Sequence, residues 1–425
     1  MSGNQEKRFG NREGSLEEGR KEGEGETMKS PEEWISELDL ERELSEIRRD
    51  LHRNPELSGE EYRTGGQICR LLEEWGIPCE KGVADTGVVG VVTGTGGPAG
   101  KTVGIRADMD ALPIEEENKT APYCSVNPGV MHACGHDAHT AILLGTARIL
   151  KAMENEWAGR VKFFFQPAEE TTGGAARMIE AGCLEDPHVD FVLGLHVDPG
   201  CSAGQVGIRY GKMYAASDML TVRVYGRSAH GAHPDEGVDA IVVSANILNT
   251  LQTLVSRNIC PTGAAVCTFG TIHGGSVRNQ IADRVEMQGI LRTLDHETRR
   301  FARDKIRTVC EQVADAMGAR AELIVEESYG PLINNDQVTD VVLRNARTVL
   351  GGENVILEQA PDMGTEDFSY FAAARPSCFF HLGCAAPGDK KAADLHNSRF
   401  DIDERCLAVG VKIQVRNALT LLGME

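Results

Sequence analysis

Ten residues at 131–140, MHACGHDAHT, bring Cys134, Asp137, His132, His136 and His139 together immediately before an apolar helical run. A thiolate and an imidazole two positions apart can grip one divalent ion from a single turn, because sulfur and imidazole nitrogen both suit zinc-like metals. A packed thiol or an ordinary hydrogen-bonded histidine is the plain alternative for any one of these groups. Their density favours a metal site. His139, one turn into the helix beside Ala and Leu, and His132 fit a supporting role better than ligation, since ligating groups need outer partners.

Further metal-type residues follow apolar runs that read as strands, which is where open α/β sheets bind their ligands. The run 161–165 ends in QPAEE with Glu169 and Glu170, the run 189–195 ends in His196, and 102–106 leads to Asp108 and Asp110. His396 lies in a loop before the last helix. Neighbouring residues of an extended segment face opposite ways, so Glu169 and Glu170 can divide the work, one on metal and one at the substrate gap. Amide hydrolysis requires that division: metal lowers the pKa of water and polarises the carbonyl, while a free carboxylate carries the proton to the leaving nitrogen. Spacing leaves open which glutamate does which.

The elements that must position these groups follow from periodicity. Ser30 and Glu33 form a capping box with Pro31 in the first turn, and Trp34, Ile35, Leu38, Leu44, Ile47 and Leu51 recur at helical spacing, predicting one helix that Pro55 ends. A helix over 60–75 follows, and then short β-rich runs alternate with helices to residue 197, as in an α/β layer with a mainly parallel sheet. Between 213 and 328 the order becomes strand, helix, strand, strand, helix, strand, the β-α-β-β-α-β pattern of a ferredoxin-like split motif. The α/β pattern resumes afterwards, with a helix over 337–350, a strand over 378–382 and a final helix over 404–422. The expected organisation is a tail over 1–28, a catalytic domain over 29–212 and 329–425, and an inserted domain over 213–328.

The chain has 425 residues, enough for two or three domains. Residues 1–27 are rich in Glu, Gly, Lys and Arg, a composition that predicts disorder, and Met28 is an alternative start of translation. A formal net charge of -20 argues against a nucleic-acid partner. No stretch approaches the ~20 apolar residues of a membrane helix, and no secretory signal is visible. Twelve scattered cysteines without a CxxC pair fit a reducing, cytoplasmic compartment.

The segments RADMDALP from Arg106, MHACGHDAHT, QPAEE, GLHV from Gly194, GRSAHGAHP from Gly226, MGTEDFSYF from Met363 and LHNSRFDID from Leu395 together resemble the M20 metallopeptidase family. The likeness is to its amidohydrolase branch of N-acyl-amino-acid, hippurate and auxin-conjugate hydrolases, and it covers residues 35–422 in order. It implies a zinc-peptidase-like catalytic domain interrupted by a lid and dimerisation domain. It also implies two divalent ions (zinc, manganese or cobalt) on Cys134, His136, Glu170, His196 and His396, with Glu169 as general base and acid and Asp110 orienting the ligands. His230 resembles the lid histidine that reaches across a homodimer to polarise the scissile carbonyl, with His233 as its alternative. Asn279 and Arg292 resemble lid residues that hold the substrate carboxylate, and Gly364 begins a substrate-lining segment. Asp108-Met109-Asp110 replaces a common His-x-Asp, NQIAD at 279–283 lacks a usual Pro, and Thr365 replaces a common Ser.

The implied substrate is a small N-acyl amino acid, with a dipeptide cleaved by a dipeptidase or aminopeptidase as the alternative. Two other classes compete: a thiol amidase with Cys134 as nucleophile, which would survive chelators, and a non-catalytic binder, which would have degraded ligand positions. The acyl group is not legible.

Overall fold

The aromatic run Phe163-Phe164-Phe165 lies at the heart of an eight-stranded sheet, with alternate rings sent into two different cores. A computed structural model describes residues 29–98, 100–389 and 392–424, and the tail expected over 1–28 lies outside the described residues. The chain begins with α1 (Pro31–Glu37), α2 (Leu40–Arg53) and α3 (Tyr62–Glu74), followed by β1 (Cys79–Val83), β2 (Gly87–Thr95), β3 (Thr102–Asp108) and α4 (His136–Ala152). Next come β4 (Ala158–Gln166), α5 (Gly174–Glu180), β5 (Phe191–Ser202), β6 (Val206–Ile208) and β7 (Gly211–Tyr214). A second unit holds β8 (Ala216–Tyr225), α6 (Ala240–Thr253), β9 (Ala265–Gly274), β10 (Arg284–Thr293), α7 (His296–Ala316) and β11 (Arg320–Glu327). The chain then returns through β12 (Leu332–Asn334), α8 (Asp336–Leu350), β13 (Val355–Leu357), α9 (Ser369–Ala374), β14 (Ser377–Ala385) and α10 (Arg405–Leu422).

The large sheet runs β1-β2-β4-β3-β5-β14-β6-β13. Its central strands β4, β3, β5 and β14 are parallel, while β1, β2 and β6 join antiparallel. One face packs Val161, Phe163 and Phe165 against the apolar sides of α2, α4 and α10. The other packs Phe164 with Phe368, Phe371 and Phe379. Each such buried side chain contributes ~1.5–3 kcal/mol, so the parallel strands are firmly set and their carboxyl ends make a stable platform.

The second sheet, β11-β8-β10-β9, is wholly antiparallel and carries α6 and α7 over a separate core that includes Leu220, Ile247, Met287 and Ile306. This is the split β-α-β-β-α-β order. Among the described residues no helix is long and apolar enough to cross a membrane.

The first helix differs from expectation. It breaks into α1 and α2 at Asp39, which takes a left-handed conformation (φ 50°) that an aspartate tolerates better than most residues. The helical spacing survives the break because Ile35, Leu40, Leu44, Ile47 and Leu51 all face the same core.

Candidate metal centre

Gly135 sets the local geometry. It caps α4 at φ 83°, and a Cβ there would lie 2.4 Å from Val197 Cγ2, so only glycine lets the turn press against β5. Cys134 and His136 thereby flank a tight reversal beside the strand that carries His196.

His136 Nδ1 lies 2.9 Å from the carbonyl oxygen of Asp110 and 3.2 Å from its Oδ1. Its proton is held there, which leaves Nε2 buried without a hydrogen-bond partner among the described residues, 3.9 Å from Glu170 Oε1. The other oxygen of Asp110 accepts Ser58 Oγ at 2.7 Å and the backbone N–H of Glu170 at 3.1 Å. Burial pushes the Asp110 carboxyl up, but these donors outweigh it and hold it below the usual range.

Around Cys134 Sγ stand His196 Nε2 at 3.4 Å and His396 Nε2 at 3.3 Å. His196 turns Nδ1 to the carbonyl of Val197 at 2.8 Å, so its Nε2 is the free nitrogen. His396, at φ 59°, is pinned by its backbone N–H on Ala133 O at 2.8 Å, and its Nε2 lies 3.1 Å from Glu170 Oε1. His139 has no nitrogen to spare: Nδ1 meets Asp108 Oδ1 at 2.6 Å and Nε2 accepts the Val197 N–H at 2.9 Å. His132 is buried with neither nitrogen hydrogen-bonded among the described residues, and burial pushes its pKa down to about 4.

Glu169 and Glu170 do diverge, but from a turn after Ala168 (φ 54°) rather than from an extended strand. Glu170 turns toward His396, whereas Glu169 turns toward Glu366 and Asp367, with Asp367 N–H 3.4 Å from Glu169 Oε1. Burial, reinforced by the charges of Glu366, Asp367 and Glu170, pushes the Glu169 carboxyl well above the usual range. The same burial lifts Glu366 to about 8, even though Arg106 Nη2 lies 3.0 Å from its Oε1.

Arg106 is the buried hub behind this edge. It donates to Asp108 Oδ2 at 2.7 Å, Asp367 Oδ1 at 2.8 Å and Gln166 Oε1 at 2.8 Å. The MGTEDFSYF segment points to Gly364 as the start of a substrate-lining stretch and carries no local signal that its Glu366 and Asp367 face Glu169. Acidic residues after a loop are too common to signal such a contact.

Cys134, His136, Glu169, Glu170, His196, His396 and Asp110 thus converge at the carboxyl ends of β3 and β4 and beside the middle of β5, because the strand expected to end at His196 continues to Ser202 in register with β14. Gly364 lies beside the end of β7, its carbonyl accepting the Ala215 N–H at 3.0 Å and a Cβ there lying 3.7 Å from the Tyr214 ring. His230, Asn279 and Arg292 belong to the second unit. Gly231 N–H donates to Asn279 O at 2.8 Å and His230 bridges to Gln280, so the His230 and Asn279 loops lie together and exposed. Arg292, on β10, keeps Nη1 buried without a hydrogen-bond partner among the described residues.

The donor set suits metal. Cys134, His136 and His196 offer atoms within 4.8 Å of one another, as do Cys134, Glu170 and His396, and the two groups share one thiol. Among the described residues the buried Nε2 of His136 has no hydrogen-bond partner, which is costly unless something binds it. One sulfur, three imidazole nitrogens and carboxylate oxygens fit divalent transition metals.

Residues 104–420 match the model of peptidase family M20/M25/M40. The chain is 38% identical over 382 residues to the N-acetyl-L-cysteine deacetylase of Bacillus subtilis (90% of this chain, 88% of the relative). It is 39% identical over 389 residues to thermostable carboxypeptidase 2 of Saccharolobus solfataricus (90% and 94%). Among solved structures it resembles the YxeP protein of Bacillus subtilis, described as a dinuclear metal-binding peptidase, with TM-score 0.79 and 32% identity over 91% of this chain and 100% of that one.

Proposed function

The chain belongs to peptidase family M20/M25/M40, and from that premise we propose that it hydrolyses the amide bond of N-acyl amino acids and releases the free amino acid. The observation that carries this reading is the approach of Cys134, His136, Glu170, His196 and His396 beside a separate buried carboxylate, Glu169. A divalent pair held by those five residues, zinc, manganese or cobalt, would supply Lewis acidity toward water and the acyl carbonyl when bound. Glu169 takes a proton from the attacking water and returns it to the departing nitrogen, a task suited to a carboxyl whose proton affinity burial has raised. Asp110 keeps His136 in the tautomer that offers Nε2. Arg292, whose Nη1 has no hydrogen-bond partner among the described residues, receives the substrate carboxylate with Asn279, and Gly364 leaves room for the substrate chain.

Residues 213–328 act as the lid in this reading, with 29–212 and 329–425 as the catalytic domain. A homodimer is supported by β9, an edge strand of the second sheet, and by exposed Ile241, Val242, Val266 and Ile272 nearby. In such a dimer His230 would polarise the carbonyl in the partner's site. All twelve cysteines are free thiols, which favours a reducing, cytoplasmic setting.

The carboxypeptidase relative supports a second substrate, a small peptide, since a C-terminal residue and an N-acyl amino acid both present a carboxylate beside the scissile amide. A hydrolysis screen over N-acetyl amino acids, N-benzoyl amino acids and dipeptides separates them. Turnover of the acyl substrates that disappears with 1,10-phenanthroline and returns with added divalent metal is expected. Activity that survives the chelator would point to a thiol amidase, and no turnover with metal bound would point to a binder.

A further inference from the structure

Tyr329 stands where the chain passes from β11 back to the large sheet, beside the outgoing crossing at Ser217. Ser217 N–H donates to Tyr329 O at 3.0 Å and Ser328 N–H to Ser217 O at 3.1 Å, so the two crossings are stitched together. Arg299 of α7 donates to Ser217 O at 2.9 Å and Ser328 O at 3.2 Å, and its guanidinium is anchored on Asp218 at 2.7 Å. The crossing is therefore bound to the second unit.

From that fixed backbone the Tyr329 side chain reaches the other way. Its O–H donates to the carbonyl oxygen of Glu169 at 2.5 Å, and its ring fills the space beside Gly173, where a Cβ would lie 2.9 Å from Cε1. Gly173 N–H closes the loop on Ala168 O at 3.0 Å. The carbonyl of Glu169 and the N–H of Glu170 belong to one planar peptide. Tyr329 holds the oxygen of that peptide, and Asp110 Oδ2 holds its N–H at 3.1 Å.

We propose that Tyr329 is a positioning residue that ties the crossing between the two units to the Glu169–Glu170 peptide, so that the second unit helps set where the general base stands. The proposal rests on Glu169 being that base. Asp110 orients the metal-facing end of the peptide, and Tyr329 its base-facing end. A carboxylate displaced by ~1 Å can cost about a hundredfold in rate without any change in binding.

Tyr329→Phe removes the O–H and keeps the ring against Gly173. Assayed beside wild type and Glu169→Gln on one N-acyl amino acid, it is expected to lose between about tenfold and about a hundredfold in kcat, with KM within about twofold. Metal content and Tm should match wild type. A kcat within about twofold of wild type beside an inactive Glu169→Gln would overturn the proposal alone. A kcat loss matched by lost metal or a lowered Tm would also overturn it, because the tyrosine would then be structural. Full turnover by Glu169→Gln would remove the base assignment and this proposal together.

Discussion

Asp110 and His136 meet twice, through the backbone carbonyl at 2.9 Å and the carboxylate at 3.2 Å, and the contact decides which imidazole nitrogen is free to bind. Because the same carboxylate also takes the Glu170 N–H, one residue orients two proposed ligands. Asp110→Asn should therefore weaken metal affinity by about 10- to 100-fold, with the helix content retained. Competition against a chromophoric chelator measures this, and unchanged affinity would contradict the role.

Arg292 offers a different kind of evidence. Burial lowers its guanidinium pKa, Asp218 offsets this only partly, and Nη1 finds no hydrogen-bond partner among the described residues. Asp218 is already engaged by Arg299 and Arg303, which disfavours a purely structural pairing. A charge-assisted bond to a substrate carboxylate contributes ~1.5–3 kcal/mol, so Arg292→Ala should raise KM by about 10- to 100-fold while kcat changes little. Steady-state kinetics that show an unaltered KM would remove Arg292 from the binding site.

Asp295 caps α7 and crosses to the large-sheet unit. It accepts Thr298 N–H at 2.7 Å and Lys212 Nζ at 2.7 Å. Burial raises its pKa, but the bonds from Lys212 and Thr298 prevail and bring it down to about 2. A carboxyl depressed in the folded state stabilises fully above its unfolded pKa of ~3.9 and loses that contribution as pH falls toward the folded value. Asp295→Ala should cost about 1 kcal/mol at neutral pH, and the gap from wild type should narrow below about pH 4. Urea unfolding at stepped pH checks this, and a pH-independent gap would mean the cap acts without its charge.

Sequence pattern carried much of this molecule because particular residues announce themselves. Cys134, His136 and His396 are uncommon types placed at turns and His196 is one set inside an apolar strand, and the strand–helix order from 216 to 327 can be satisfied by few topologies. What stayed hidden depends on contacts between distant positions. Arg106 reaches Asp367 across 261 residues, and Tyr329 reaches Glu169 across 160, with no local spacing to betray either. The break at Asp39 was masked because α1 and α2 bury the same face. The divergence of Glu169 and Glu170 follows from a turn after Ala168, where strand alternation no longer applies. Short strands such as β6, β12 and β13 hold three residues each, too few for a period to appear.

In the proposed mechanism Glu169 moves protons while its neighbour Glu170 and four other residues hold metal. The most direct test is Glu169→Gln, measured for turnover and metal content on the same preparation. Turnover should fall by at least about 100-fold, the usual contribution of a general base, with metal content equal to wild type. Metal lost in parallel with activity would make Glu169 a ligand, and activity retained would contradict the account.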